Sequence, residues 1–145
     1  MVSCTEFIPL YSELFKYLEK KGGKAEVIKY WEHISEKYVD PRLGEEIKKA
    51  GLKGCFNYWN KSLNEEACDF SMTYDEEKNY FEIDMKGCPS RGMLNALDYT
   101  NPYKDYCGHC DVLYSKCAKK YGIEITGDYS EVDKAKCKLF AKKIK

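Results

Sequence analysis

The chain has 145 residues, with 24 basic side chains balanced by 24 acidic ones, a length that suffices for one domain with a continuous core and no need of disulfides or metal to fold. The basic residues are scattered rather than gathered in a stripe, which excludes the electrostatic footprint of a nucleic-acid binder, and no apolar run approaches the ~20 residues needed to span a bilayer. The N-terminal stretch carries Glu6 and Glu13 among its apolar residues and lacks a basic leader segment, so a cytoplasmic protein is expected. In that compartment the eight cysteines are read as free thiols, ligands or catalytic groups rather than as a disulfide framework.

Residues 1–63 read as mainly helical. Phe7, Leu10, Tyr11, Leu14, Phe15 and Leu18 recur at three- and four-residue spacing until Gly22-Gly23 stops the pattern. A second helix is predicted over 25–38, with Val27, Tyr30, Trp31 and Ile34 on one side, and Asp40-Pro41 is expected to break it. A short helix over 43–50, a loop at 51–54 and a further helix over 56–63 follow. Residues 64–145 read as an α+β part, and from Ala67 the period changes. Cys68, Phe70 and Met72 alternate with polar neighbours, a charged turn covers 75–79, and Tyr80 to Met85 has strand composition, which predicts a hairpin ending at Gly87. Helices over 89–97 and 103–121 precede a second strand pair, 123–126 and 137–141. The whole 1–145 chain therefore reads as one α+β domain, N-terminal helices followed by a mainly antiparallel sheet of about four strands in the order β-β-α-α-β-β.

Residues 87–117 hold four of the eight cysteines, one of the two histidines and one of the two arginines. Proline favours the first position of a helix, so Cys88-Pro89 makes Cys88 the N-cap, its sulfur close to free backbone N–H groups and the positive end of the helix dipole. With Arg91 nearby, that environment is expected to lower the thiol pKa and favour a nucleophile; the alternative is a small half-buried residue at a strand-to-helix junction. Cys107-Gly-His109-Cys110 is similar to the tetrapeptide of protein disulfide isomerases, but the polar stretch before it is not the apolar strand a thioredoxin-like site requires. At about 100° per residue, Cys107, Cys110, Asp111 and Tyr114 share one helix face whereas His109 points elsewhere. A metal site, zinc or iron, would need Cys107 and Cys110 to be joined by a distant ligand such as Cys88 or Cys137, and the second Cys-x-x-Cys of a zinc ribbon is missing; no cofactor is therefore expected. Packing of Cys110, Tyr114 and Cys117 in the core is the remaining reading.

The strand ending in Cys88-Pro89, the following helix, the Tyr106-Cys107-x-His109-Cys110-Asp111-x-Leu113-Tyr114 helix and a last strand carrying Cys137 resemble the L-2-amino-thiazoline-4-carboxylic acid hydrolase family over residues 52–140. Gly54-Cys-Phe-Asn-Tyr-Trp59 and Glu66-Ala-Cys-Asp69 support it. The resemblance implies a small α+β domain whose founding activity opens 2-aminothiazoline-4-carboxylate, a cyclic isothiourea, to carbamoyl-cysteine. Such chemistry needs a nucleophile at the amidine carbon, a proton donor and a cation for the substrate carboxylate. Cys88 fits the first role, Asp111 or His109 the second, and Arg91 the third through its planar fork; Cys107, Tyr114 and Trp59 are the expected walls of the substrate pocket. A binding module for a small molecule or metal, without catalysis, is the alternative function, and thiol–disulfide exchange the third.

Overall fold

The computed structural model describes residues 6–66 and 68–145. Helix α1, Phe7–Ile34, carries its apolar residues at helical spacing and buries Phe15, Val27 and Trp31, but it is interrupted where the periodicity predicts. Gly22 and Gly23 leave helical geometry, Gly23 with φ of 74°, a conformation that costs glycine little and other residues much. The expected break at Asp40-Pro41 is not a break. The chain runs on through a wide π-helical segment, Ser35–Gly44, with Pro41 inside it. Proline removes one backbone donor and displaces a carbonyl, and widening the turn absorbs both. The segment is held from outside, because Asp40 accepts hydrogen bonds from the Tyr121 hydroxyl at 2.8 Å and Lys120 at 3.0 Å.

Helix α2, Glu45–Ala50, ends on Gly51, and α3, Leu52–Asn64, starts at once. The loop predicted at 51–54 is a single residue, Gly51, with φ of 59°. Gly54 lies inside α3 because the helices cross there: a Cβ on it would stand 2.2 Å from the Glu46 carbonyl oxygen.

Strands β1, Asp69–Asp75, and β2, Tyr80–Gly87, form the expected hairpin, its turn closed by a hydrogen bond from the Lys78 amide to Asp75 at 3.0 Å. After α4, Pro89–Ala96, and α5, Gly108–Lys119, come β3, Ile123–Asp128, and β4, Cys137–Lys143. All pairings are antiparallel and the sheet order is β1-β2-β4-β3. The α+β architecture and its four strands are those the sequence predicts. Helix α5 starts five residues later than predicted, at Gly108, since 103–107 form hydrogen-bonded turns (Tyr106 amide to Tyr103 carbonyl, 3.0 Å) and the Tyr103 amide is drawn to the buried Ser12 hydroxyl at 2.8 Å. One core joins the layers: Phe15, Trp31 and Tyr103 meet edge to face on the helical side, and Trp59 of α3 stacks on Phe81 of the sheet at 5.7 Å. No helix among the described residues is long and apolar enough to cross a membrane.

Candidate functional site

Besides a groove of about 390 Å³ against Tyr106 and His109, two cavities flank the start of α5. The larger, a chamber of about 770 Å³, lies between α3, the inner ends of β2 and β4, and α5. Trp59, Leu63, Ile83, Met85 and Leu139 supply apolar wall, and four thiols, Cys68, Cys88, Cys110 and Cys137, face it together with His109 and Tyr114. The smaller, a cleft of about 550 Å³, is bordered by Arg91, Cys107 and Asp111 and by Lys24 and Asp105 from the helical side. Tyr129 lines both.

The single pocket expected from sequence is thus divided. Cys88, His109, Tyr114 and Trp59 share the chamber, whereas Arg91, Cys107 and Asp111 share the cleft. The reason lies in the helix. Around α5, at about 100° per residue, His109, Cys110 and Tyr114 occupy one arc and Cys107 and Asp111 the next, so a seam runs between Tyr114 and Cys107 where one common face was expected. His109, expected off the face shared by Cys107 and Asp111, lines the chamber with Cys88, and Asp111, expected with Cys107 in the substrate pocket, lines the cleft instead.

Cys88 is the N-cap of α4, as the Cys-Pro pair predicts, with Pro89 in the first turn and the Arg91 amide donating to its sulfur at 3.5 Å. Its acidity is the reverse of the expectation. Burial raises the thiol pKa, and the N–H groups of Arg91 and Ser90 offset this only in part; desolvation of a thiolate outweighs one helix terminus. Burial likewise pushes Cys107, Cys110 and Cys137 up to about 12. These thiols are neutral at pH 7, so none is a preformed thiolate.

His109 is half-buried. Tyr11, Phe15 and Tyr106 surround its ring with centroids 4.7–5.7 Å away, and burial lowers its pKa to about 4. Nδ1 meets the Tyr106 carbonyl, which only accepts, so Nδ1 carries the proton and Nε2 keeps its lone pair. That lone pair faces the Cys110 sulfur at 3.4 Å. Cys110, weighed from sequence as a metal ligand or core residue, is therefore the thiol with a base beside it.

Arg42 is the functional candidate that sequence reasoning missed. It lies at the chamber rim, its guanidinium over the rings of Tyr38 at 4.9 Å and Tyr58 at 5.6 Å, and it makes no ion pair with the described residues. A signal existed, because the chain uses lysine for all but two of its basic residues and both arginines border cavities. Among the described residues no group of three or more His, Cys, Asp or Glu side chains is arranged to hold a metal ion, and the seven described cysteines are unpaired.

No family model matches the chain and no curated protein matches it. Among solved structures it is similar to a trafficking protein particle complex subunit 3 from Naegleria fowleri, covalently bound to palmitic acid, at 10% identity over 97% of this chain and 95% of that one with a TM-score of 0.58. At that identity the likeness is one of fold.

Proposed function

We propose that the chain is a small-molecule-binding protein whose chamber takes an amphiphile with an apolar body and an acidic head. The observation that carries this is the chamber itself, about 770 Å³ walled mainly by aromatic and aliphatic side chains and by thiols that burial keeps neutral, with Arg42 as its cation and Glu65 and Glu66 also on its lining. A cavity in the range of roughly 300–1,000 Å³, mostly apolar with a few orienting polar groups, is the usual form of a small-molecule site. Neutral thiols add apolar surface rather than charge. The palmitic acid held by the trafficking subunit of like fold supports the same class of ligand.

Titration with a fluorescent polyene fatty acid tests this. Saturable one-to-one binding is expected, Arg42→Ala should weaken it by about tenfold through loss of a charge-assisted contact, and Cys137→Trp should abolish it by filling the chamber while the circular dichroism stays native. Absence of saturable binding, or binding indifferent to Cys137→Trp, overturns the reading.

The hydrolase implied by the resemblance is the second reading, and the Cys110–His109 pair favours it. Unaided, the pair is weak: burial holds the thiol up at about 12 and the imidazole down at about 4, so the neutral thiol–imidazole form is favoured over the ion pair. A cationic amidinium in the chamber would have to draw out the thiolate. If it does, 2-aminothiazoline-4-carboxylate is converted to carbamoyl-cysteine without added cofactor, Cys110→Ala abolishes turnover and Cys88→Ala, which loses only a helix cap, retains it. No turnover by folded protein removes this reading and leaves the binding protein standing.

A further inference from the structure

The cleft on the far side of Tyr129 holds one charge that the fold pairs only weakly and one that it leaves without a partner among the described residues. Arg91 is 15% exposed, its Nε is buried without a hydrogen-bond partner, and its one ion pair, to Asp133 at 3.8 Å, is with a side chain 94% exposed to water. So solvated a partner contributes little, whereas a guanidinium taken this far from water calls for close acceptors. Across the cleft, the Asp111 carboxylate accepts no hydrogen bond and makes no ion pair with the described residues, although burial and the nearby Asp105 raise its pKa. The remaining charges around the cleft are engaged: Lys24 with Asp105, over the rings of Trp31 and Tyr103, and Lys104 with Glu19 at 3.3 Å. Arg91 and Asp111 do not pair with each other. Cys107, one helical turn before Asp111, lines the same cleft, and its wall is completed by Ile28, Val112 and Val132.

We propose that this cleft is a second ligand site, specific for a free α-amino acid with an apolar side chain, whose carboxylate is taken by Arg91 and whose ammonium by Asp111. The planar fork of Arg91 suits a carboxylate in two parallel hydrogen bonds, and the ligand's two charges would meet the weakly paired Arg91 and the unpaired Asp111. The inference is independent of the chamber and of its ligand, because it uses none of the chamber's thiols, His109 or Arg42.

The test is calorimetric titration of the full chain with L-leucine, N-acetyl-L-leucine and L-leucinamide, which carry both charges, the carboxylate alone and the ammonium alone. L-Leucine should bind, and each blocked form should bind at least about tenfold more weakly. Arg91→Met, which keeps the apolar stem, and Asp111→Asn, which keeps the shape, should each weaken L-leucine by about tenfold or more while the circular dichroism spectrum and the urea midpoint stay close to the wild-type values. Those last readouts show the variants to be folded. No saturable binding of L-leucine to folded protein, equal binding of a blocked form, or L-leucine affinity unchanged in both variants overturns the proposal.

Discussion

Replacing Gly54 by alanine is expected to cost about 3 kcal/mol of stability, within the upper range of overpacking in a filled core. The added Cβ would stand 2.2 Å from the oxygen and 2.4 Å from the carbon of the Glu46 carbonyl and 2.7 Å from the Ile47 amide nitrogen. These are backbone atoms of α2, so no side-chain rotation relieves the clash and α3 has to move. Alanine's better helix propensity, about 1 kcal/mol over glycine, offsets only part of that. Since α3 also carries Trp59 and Leu63 into the chamber wall, fatty-acid affinity should fall together with stability. Urea denaturation should show a lower midpoint at unchanged slope. Gly92→Ala is the control, because a Cβ there meets only the Ala135 Cβ at an ordinary 3.8 Å, and it should be neutral or slightly stabilising. An equal loss in both variants would point to glycine's backbone freedom rather than to the helix crossing.

What the sequence makes legible follows the range of the interaction. Alternation of Cys68, Phe70 and Met72 and the Asp75 turn are local, and the β1–β2 hairpin lies where they predict. The Cys88-Pro89 cap is local as well, and its geometry is as read. Pro41 was misread because the groups that carry a helix past it, Tyr121 and Lys120 on Asp40, are some eighty residues away. The acidity of Cys88 was misread for the same reason: the helix dipole is visible in neighbouring residues, whereas burial depends on how α3, β4 and α5 close over the thiol, and burial prevails. Helical spacing predicts one face for Cys107, Cys110 and Asp111, and it cannot show that Cys110 lines the chamber while Cys107 and Asp111 line the cleft, with Tyr129, from the turn between β3 and β4, bordering both.

Acid should destabilise the fold through His109. Its imidazole is neutral when folded, with the pKa lowered to about 4, first by burial, while the Tyr106 carbonyl and Asp105 act weakly in the opposite direction. In the unfolded chain the ring returns to about 6.5. Above pH 6.5 both states carry a neutral ring and the full stability is present. As pH falls below 6.5 the unfolded state takes up a proton that the folded state refuses, and stability drops until the folded pKa is reached near 4, a total of roughly 3 kcal/mol. His109→Gln keeps an N–H for the Tyr106 carbonyl but cannot titrate, so its stability should be flat over the same window apart from the losses shared by both proteins. Carboxylates such as Asp40 and Asp75, whose pKa values are lowered by hydrogen bonds and lysine partners, contribute equally to each, and subtracting the two urea-denaturation curves at pH 7, 5.5 and 4 removes them. The difference between wild type and variant should therefore change by roughly 3 kcal/mol from pH 7 to pH 4. Parallel curves would mean that water reaches the ring in the folded protein, and His109 would then be free to work as an ordinary base on the chamber wall.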